Sequence, residues 1–242
     1  MPVLRSSVPN LVARIWADIT TGERRVYISI NANSATLRRD YPSYAETLAD
    51  PRAVCVADGV SITLGGALFG QRKIGRVPGV DVLEQACSKA AKDGTTFFLL
   101  GGDPGVAESL RTALERRFEG LQITGIATPP YGEWSAEESA RLTSLVRKSD
   151  ADVVWMGVAA GKQEVWAMRH AEEMGAPVVC VGAAFDFLSG RKHRAPSWMQ
   201  RAGLEWLHRF ASEPSRLWRR YTVGNAVFLA DLLRYGRRSA AE

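Results

Sequence analysis

Five short apolar runs, rich in β-branched residues, punctuate the chain: Val26–Ile30, Ala53–Ala57, Thr96–Leu100, Val153–Gly157 and Val178–Val181. They read as buried strands. Between them lie stretches with helical periodicity, among them Val82–Lys92, Gly105–Phe118, Ala136–Lys148 and Gln163–Met174. Strands alternating with helices predict an α/β fold: a mostly parallel, Rossmann-like sheet flanked by helices on both faces. Ligands on such sheets bind beyond the carboxyl ends of the strands. The last residues of each run, and the loop that follows, are therefore where chemistry is sought.

After Gly190 the pattern changes. Arg194-Ala195-Pro196 breaks it, and two amphipathic helices are predicted, roughly Ser197–Ser212 and Pro214–Tyr235, hinged at Glu213-Pro214. The expected organisation is an α/β catalytic domain over residues 1–194 and a basic, membrane-associating helical appendage over 195–242. Charge sharpens that division. From Arg191 onward there are eleven Lys/Arg against four Asp/Glu, while the first 190 residues sum to about −2. Trp198, Trp206 and Trp218 lie in the same basic segment. Cations interleaved with large aromatics fit either a nucleic acid or an anionic membrane surface.

No run reaches the ~18 apolar residues of a spanning helix, and MPVLRSSVPNLVARIW lacks the apolar centre of a signal peptide. The expectation is a protein that is soluble or held on a membrane surface. Cys55, Cys87 and Cys180 show no metal-ligand spacing and read as buried thiols in a reducing compartment.

The strand-end loops carry the candidate chemistry. In LLGGDPGV, Gly101 and Gly102 would let backbone approach a diphosphate, with helix amides from about Val106 aimed at it; a tight strand–helix turn without a ligand fits equally. Asp58, at the end of Ala53–Ala57, is placed to take a proton from an acceptor hydroxyl or to cap the next helix. Asp150-Ala151-Asp152 has the DxD pattern of metal-dependent sugar-nucleotide transferases. It precedes a strand, however, so it falls at the amino end and reads as a polar turn. No other cluster suggests a metal, and none is expected.

Several segments in order resemble the WecG/TagA/CpsF glycosyltransferases, from about Val26 to about Phe228. They are the Asn31 strand end, Ala57-Asp58-Gly59, Arg76-Val77-Pro78-Gly79-Val80-Asp81, Leu100-Gly101-Gly102, Gly132-Glu133-Trp134 and Lys162-Gln163-Glu164-Val165-Trp166. Then come Phe185-Asp186-Phe187-Leu188-Ser189-Gly190, Arg194-Ala195-Pro196, Gly203-Leu204-Glu205-Trp206-Leu207-His208-Arg209 and Glu213-Pro214. The chain departs from the family at Ala160-Gly161, where Ala/Gly-Pro is usual.

The resemblance implies a transferase that moves a sugar from a UDP-sugar to a polyprenyl-diphosphate-linked sugar in surface-polysaccharide synthesis. N-acetylmannosamine, its uronic acid and glucose are the sugars it suggests. Asp58 becomes the base, joined in the catalytic cleft by Arg209, Arg216 and Arg219. Ser29, near the family's usual active-site threonine, is assigned to substrate binding with Asn31, Arg76, Gly101, Gly102, Gln163 and Asp186. A lone carboxylate base suits direct displacement with inversion, and arginines would stabilise the leaving UDP without a metal. No cofactor and no nucleic-acid partner are expected; self-association stays open. The expected location is cytoplasmic, peripheral on the inner face of the plasma membrane. The competing readings are an NAD(P)-dependent oxidoreductase, disfavoured by the missing GxGxxG, and a nucleic-acid-binding protein using the basic tail. The second leaves Asp58, Gln163 and Asp186 unexplained.

Overall fold

A computed structural model describes residues 3–68 and 74–239. Six strands, β1 (Val26–Ile30), β2 (Ala53–Ala57), β3 (Thr96–Gly101), β4 (Gln122–Ala127), β5 (Val153–Gly157) and β6 (Val178–Cys180), form one sheet in the order β2-β1-β6-β5-β3-β4. Every pairing is parallel. The strands are short apolar runs because both faces are covered, so neither set of alternating side chains meets water. Tyr27, Val54, Val56, Phe97, Leu99 and Trp155 point into one core layer; Val26, Ile28, Cys55, Phe98, Leu100, Val154 and Met156 point into the other.

The first layer is closed by α1 (Val8–Thr21), α5 (Gly79–Asp93), α6 (Val106–Arg117) and α9 (Ala184–Leu188). The second is closed by α3 (Pro42–Ala49), α7 (Ala136–Lys148) and α8 (Lys162–Met174), with Ile62 of α4 (Val60–Leu68) at its rim. Helix α2 (Ala32–Asp40) follows β1 directly, its entry capped by Asn31 Oδ1, which accepts the Asn33 amide at 3.0 Å. Four predicted strands match the observed bounds to within one residue, and the fifth run closes at Cys180 rather than Val181. Strand β4 was not among the runs. It is an edge strand interrupted by Gly125, where a Cβ would lie 2.5 Å from the Phe98 ring. The three cysteines are reduced and buried, and burial raises the thiol pKa of each.

The segment beyond residue 195 forms three helices, α10 (Ser197–Arg201), α11 (Glu205–Ser212) and α12 (Pro214–Ser239). Sequence periodicity joined the first two into one. Gly203 separates them: its φ of +73° is left-handed, and a Cβ there would sit 2.9 Å from Val60. Helix α12 lies on α2 and α4. Gly224 meets Asn33 and Thr36, Gly65 meets Phe228 and Leu232, and Arg38 pairs with Asp231 at 3.5 Å. Among the described residues, no helix is long and apolar enough to cross a membrane.

Candidate active site

A cleft of about 1640 Å³ opens along the carboxyl edge of the sheet. Its floor is built from strand ends: Ser29 in β1 and Asn31 just after it, Asp58 after β2, Gly102 after β3, Gly157 at the end of β5 with Val158 to Gln163 after it, and Val181 to Phe187 after β6. Parallel strands all end on this edge, so one architectural decision brings residues far apart in sequence to one surface.

Asp58 is held by its backbone. Its amide donates to Ile30 O at 2.9 Å, and its carbonyl accepts Arg76 Nε at 3.0 Å. Gly59 is needed beside it, because a Cβ would stand 3.0 Å from Asn31 Cβ. In the same cleft, Asp186 Oδ2 pairs with Lys192 Nζ at 3.0 Å, and that ammonium also meets Glu213 at 2.8 Å. The Arg209 guanidinium lies over the Phe187 ring, 5.5 Å from its centroid, and lines the cleft. The side chains of Arg216 and Arg219 lie outside the described residues.

Several expected substrate contacts have structural partners. Gln163 is only 3% exposed: its Oε1 accepts the Val158 amide at 3.1 Å and its Nε2 donates to Glu164 Oε1 at 2.8 Å. Glu164, 1% exposed, accepts the Gly161 amide at 2.6 Å through Oε2. Both therefore shape the β5–α8 turn at the cleft wall. Gly161 has φ +93°, a value a proline ring forbids, so the departure from Ala/Gly-Pro comes with a different turn.

Gly101 and Gly102 are required by packing. A Cβ on Gly101 would lie 2.6 Å from Gly157 O, and one on Gly102 would lie 2.9 Å from Val106. The Gly102 amide already donates to Gly157 O at 2.9 Å. Gly102 borders the cleft, whereas Gly101 is not among its lining residues. Arg76 is not among them either: it faces the C-terminal helices, with Nη2 2.5 Å from Glu205 Oε2 and Nη1 3.1 Å from Gln200 O.

Sequence reading gave no role to the wall formed by the β4–α7 loop. Tyr131 and Trp134 line it, with Trp134 edge-on to Trp166 at 5.1 Å and Lys162 Nζ 4.0 Å above the Trp134 ring. Burial lowers the Lys162 pKa below its ordinary value. Tyr131 donates to Asp103 Oδ1 at 2.5 Å, and Arg191 pairs with the same carboxylate, so Asp103 is held below the usual carboxylate range. The recurrence of aromatics in Tyr131-Gly132-Glu133-Trp134 and Val165-Trp166 was the available signal.

The Asp150-Ala151-Asp152 motif is at the opposite edge. Asp152 Oδ2 accepts the Thr96 amide at 2.7 Å and its hydroxyl at 2.8 Å, tying the start of β5 to the start of β3. Among the described residues, no group of three or more His, Cys, Asp or Glu is arranged to hold a metal.

The family model described as Glycosyl transferase WecG/TagA/CpsF family matches residues 1–242, the whole chain. The protein belongs to this family. As a WecG/TagA/CpsF glycosyltransferase it acts in surface-polysaccharide synthesis, with a sugar donor and a lipid-linked acceptor as its general partners.

Proposed function

We propose that the protein transfers a sugar from a UDP-sugar to a polyprenyl-diphosphate-linked sugar, with inversion at the transferred carbon. The observation that carries this reading is the position of Asp58, a carboxylate at the carboxyl end of β2 bordering a cleft of about 1640 Å³. Asp58 takes the proton of the acceptor hydroxyl as its oxygen bonds to the anomeric carbon. The bond from that carbon to the diphosphate breaks, and UDP leaves with the electron pair. One displacement without a covalent intermediate inverts the centre. Arg209, on the cleft wall, serves as a cation for the charge developing on UDP, and Asp186, which lines the same cleft, serves as a nucleotide contact.

The acceptor's lipid tail requires a membrane nearby. Trp198 (58% exposed) and Trp218 (56% exposed) offer apolar area on the basic C-terminal helices. Each Lys or Arg near an anionic leaflet contributes about 1 kcal/mol, so peripheral attachment through this face fits the reading. A UDP-sugar screen with a lipid-diphosphate-sugar acceptor, read by mass spectrometry, tests the transfer. A sugar–lipid product from at least one UDP-sugar is expected, and no product from any of them counts against the proposal. Sedimentation with anionic liposomes tests the attachment; recovery of the protein in the supernatant counts against it.

A further inference from the structure

Four charged side chains alternate in a line that reaches the cleft at Glu205, one of its lining residues. Asp81 Oδ1 accepts from Arg194 Nη1 at 2.5 Å; Arg194 Nε donates to Glu205 Oε1 at 3.1 Å; Glu205 Oε2 takes Arg76 Nη2 at 2.5 Å. Arg76 then donates through Nε to the carbonyl of Asp58, 3.0 Å away, and through Nη1 to Gln200 O, 3.1 Å away. Its planar fork is thus spent in three directions: one on the Asp58 loop and two on the C-terminal segment. The middle of the line is shielded from water, with Glu205 at 12% and Arg194 at 18% side-chain exposure, while Arg76 is at 25% and Asp81, at the far end, at 38%.

We infer that Glu205 is a positioning residue: by holding Arg76, it fixes the peptide of Asp58 and thereby the place of the Asp58 carboxylate. The inference rests on the reading of Asp58 as the base. On its upstream side the Asp58 loop is anchored by β1, through the Asp58 amide on Ile30 O. Downstream, the Gly59 amide also donates to Ile30 O at 3.3 Å and the Ile62 amide to Gly59 O at 3.0 Å. The two downstream anchors supplied from outside the loop and its strand are the Arg76 guanidinium and Gly203, which seats against Val60 two residues beyond Asp58. Both of these depend on the chain between Arg194 and Glu205. Without the Glu205 carboxylate, a partly shielded guanidinium loses its only ionic partner among the described side chains and turns toward another acceptor. The Asp58 carbonyl then loses that donor, and the restraint on the peptide falls to the longer contact of the Gly59 amide with Ile30 O, 3.3 Å. A displacement of about 1 Å at a reacting group is worth about 10²-fold in rate.

The test is kinetic, on the full chain, using UDP binding by calorimetry and transfer from the UDP-sugar that the screen identifies. Glu205→Gln is expected to lower turnover by about 10- to 100-fold while the Kd for UDP stays within about two-fold. Arg76→Gln should do the same, and the double variant should be no slower than the worse single one, because both act through one contact. Arg194→Gln breaks the line on its far side. It should lower the melting temperature comparably, yet change turnover less than about three-fold. If Arg194→Gln slows transfer as much as Glu205→Gln, the line is a general brace and the inference falls. Should Glu205→Gln fail to fold by circular dichroism, Arg76→Lys keeps the charge but cannot reach three acceptors; wild-type turnover in that folded variant overturns the inference. Asp58→Asn separates the two ideas. An inactive Asp58→Asn beside a fully active Glu205→Gln defeats the positioning role alone, whereas an active Asp58→Asn defeats the base on which it rests.

Discussion

The two edges of the sheet use the same residue type for opposite purposes. At the amino edge, Asp152 accepts both the amide and the hydroxyl of Thr96, and Asp18 is enclosed with the Tyr27 hydroxyl and the Arg25 guanidinium. At the carboxyl edge, Asp58 and Asp186 border a cleft and are secured by a backbone contact or by a partly exposed lysine. The carboxylates at the amino edge join elements away from the cleft; Asp58 and Asp186 at the carboxyl edge line it. The direction of a parallel strand therefore says more about an acidic residue than the surrounding motif does.

The largest effect expected from this contrast is on chemistry alone. Asp58→Asn should lower turnover by about 10²–10⁴, the scale of a general base, with UDP binding and melting temperature nearly unchanged. Turnover within a few-fold of wild type would erase the distinction between the edges. The mirror experiment is Asp18→Ala. It leaves the buried Tyr27 hydroxyl unpaired and Arg25 with Glu23, 3.5 Å away, as its remaining carboxylate. It should cost about 1–3 kcal/mol in denaturant unfolding, while the surviving folded protein binds UDP normally.

Asp152→Ala removes two shared bonds at the start of β3 and β5, and a loss of about 1–3 kcal/mol is expected in the same measurement. If the motif instead served a metal, EDTA would abolish transfer and Mn²⁺ would restore it; EDTA is expected to leave the rate unchanged.

A smaller effect should appear in acid. Burial pushes the Glu205 pKa upward, but Arg76 and Arg194 outweigh it and hold the carboxyl below its ordinary 4.5. A depressed folded pKa gives stability that is fully present above the unfolded value and is lost as pH falls through the folded one. The gap in melting temperature between wild type and Glu205→Gln should thus narrow as pH drops below about 4.5. A gap that widens in acid would mean the ion pairs do not stabilise the carboxylate.

The legible part of this fold is the part set by local periodicity. Five of the six strands and helices α5 to α8 follow from runs and spacings a few residues long. Strand β4 escaped because an edge strand with Gly125 at its centre has no continuous apolar run, and its glycine answers to the Phe98 ring on the neighbouring strand. The α10–α11 break escaped for a similar reason, since Gly203 is fixed by contact with Val60, far away in sequence.

By itself, the sequence determined the alternating α/β order and the carboxyl-edge location of Asp58 and Asp186, and its motifs pointed to the family. Strand type and strand direction are local properties, so they survive without coordinates. Tertiary structure alone decided what each site residue touches. It turned Arg76 from the cleft toward Glu205, buried Gln163 against Val158 and Glu164, and made Gly101 and Gly102 packing residues. A guanidinium or an amide has several donors and no preference written into its neighbours in the chain. Its partners are whichever groups the packed elements bring into reach, and for Arg76 two of them come from a segment more than a hundred residues away.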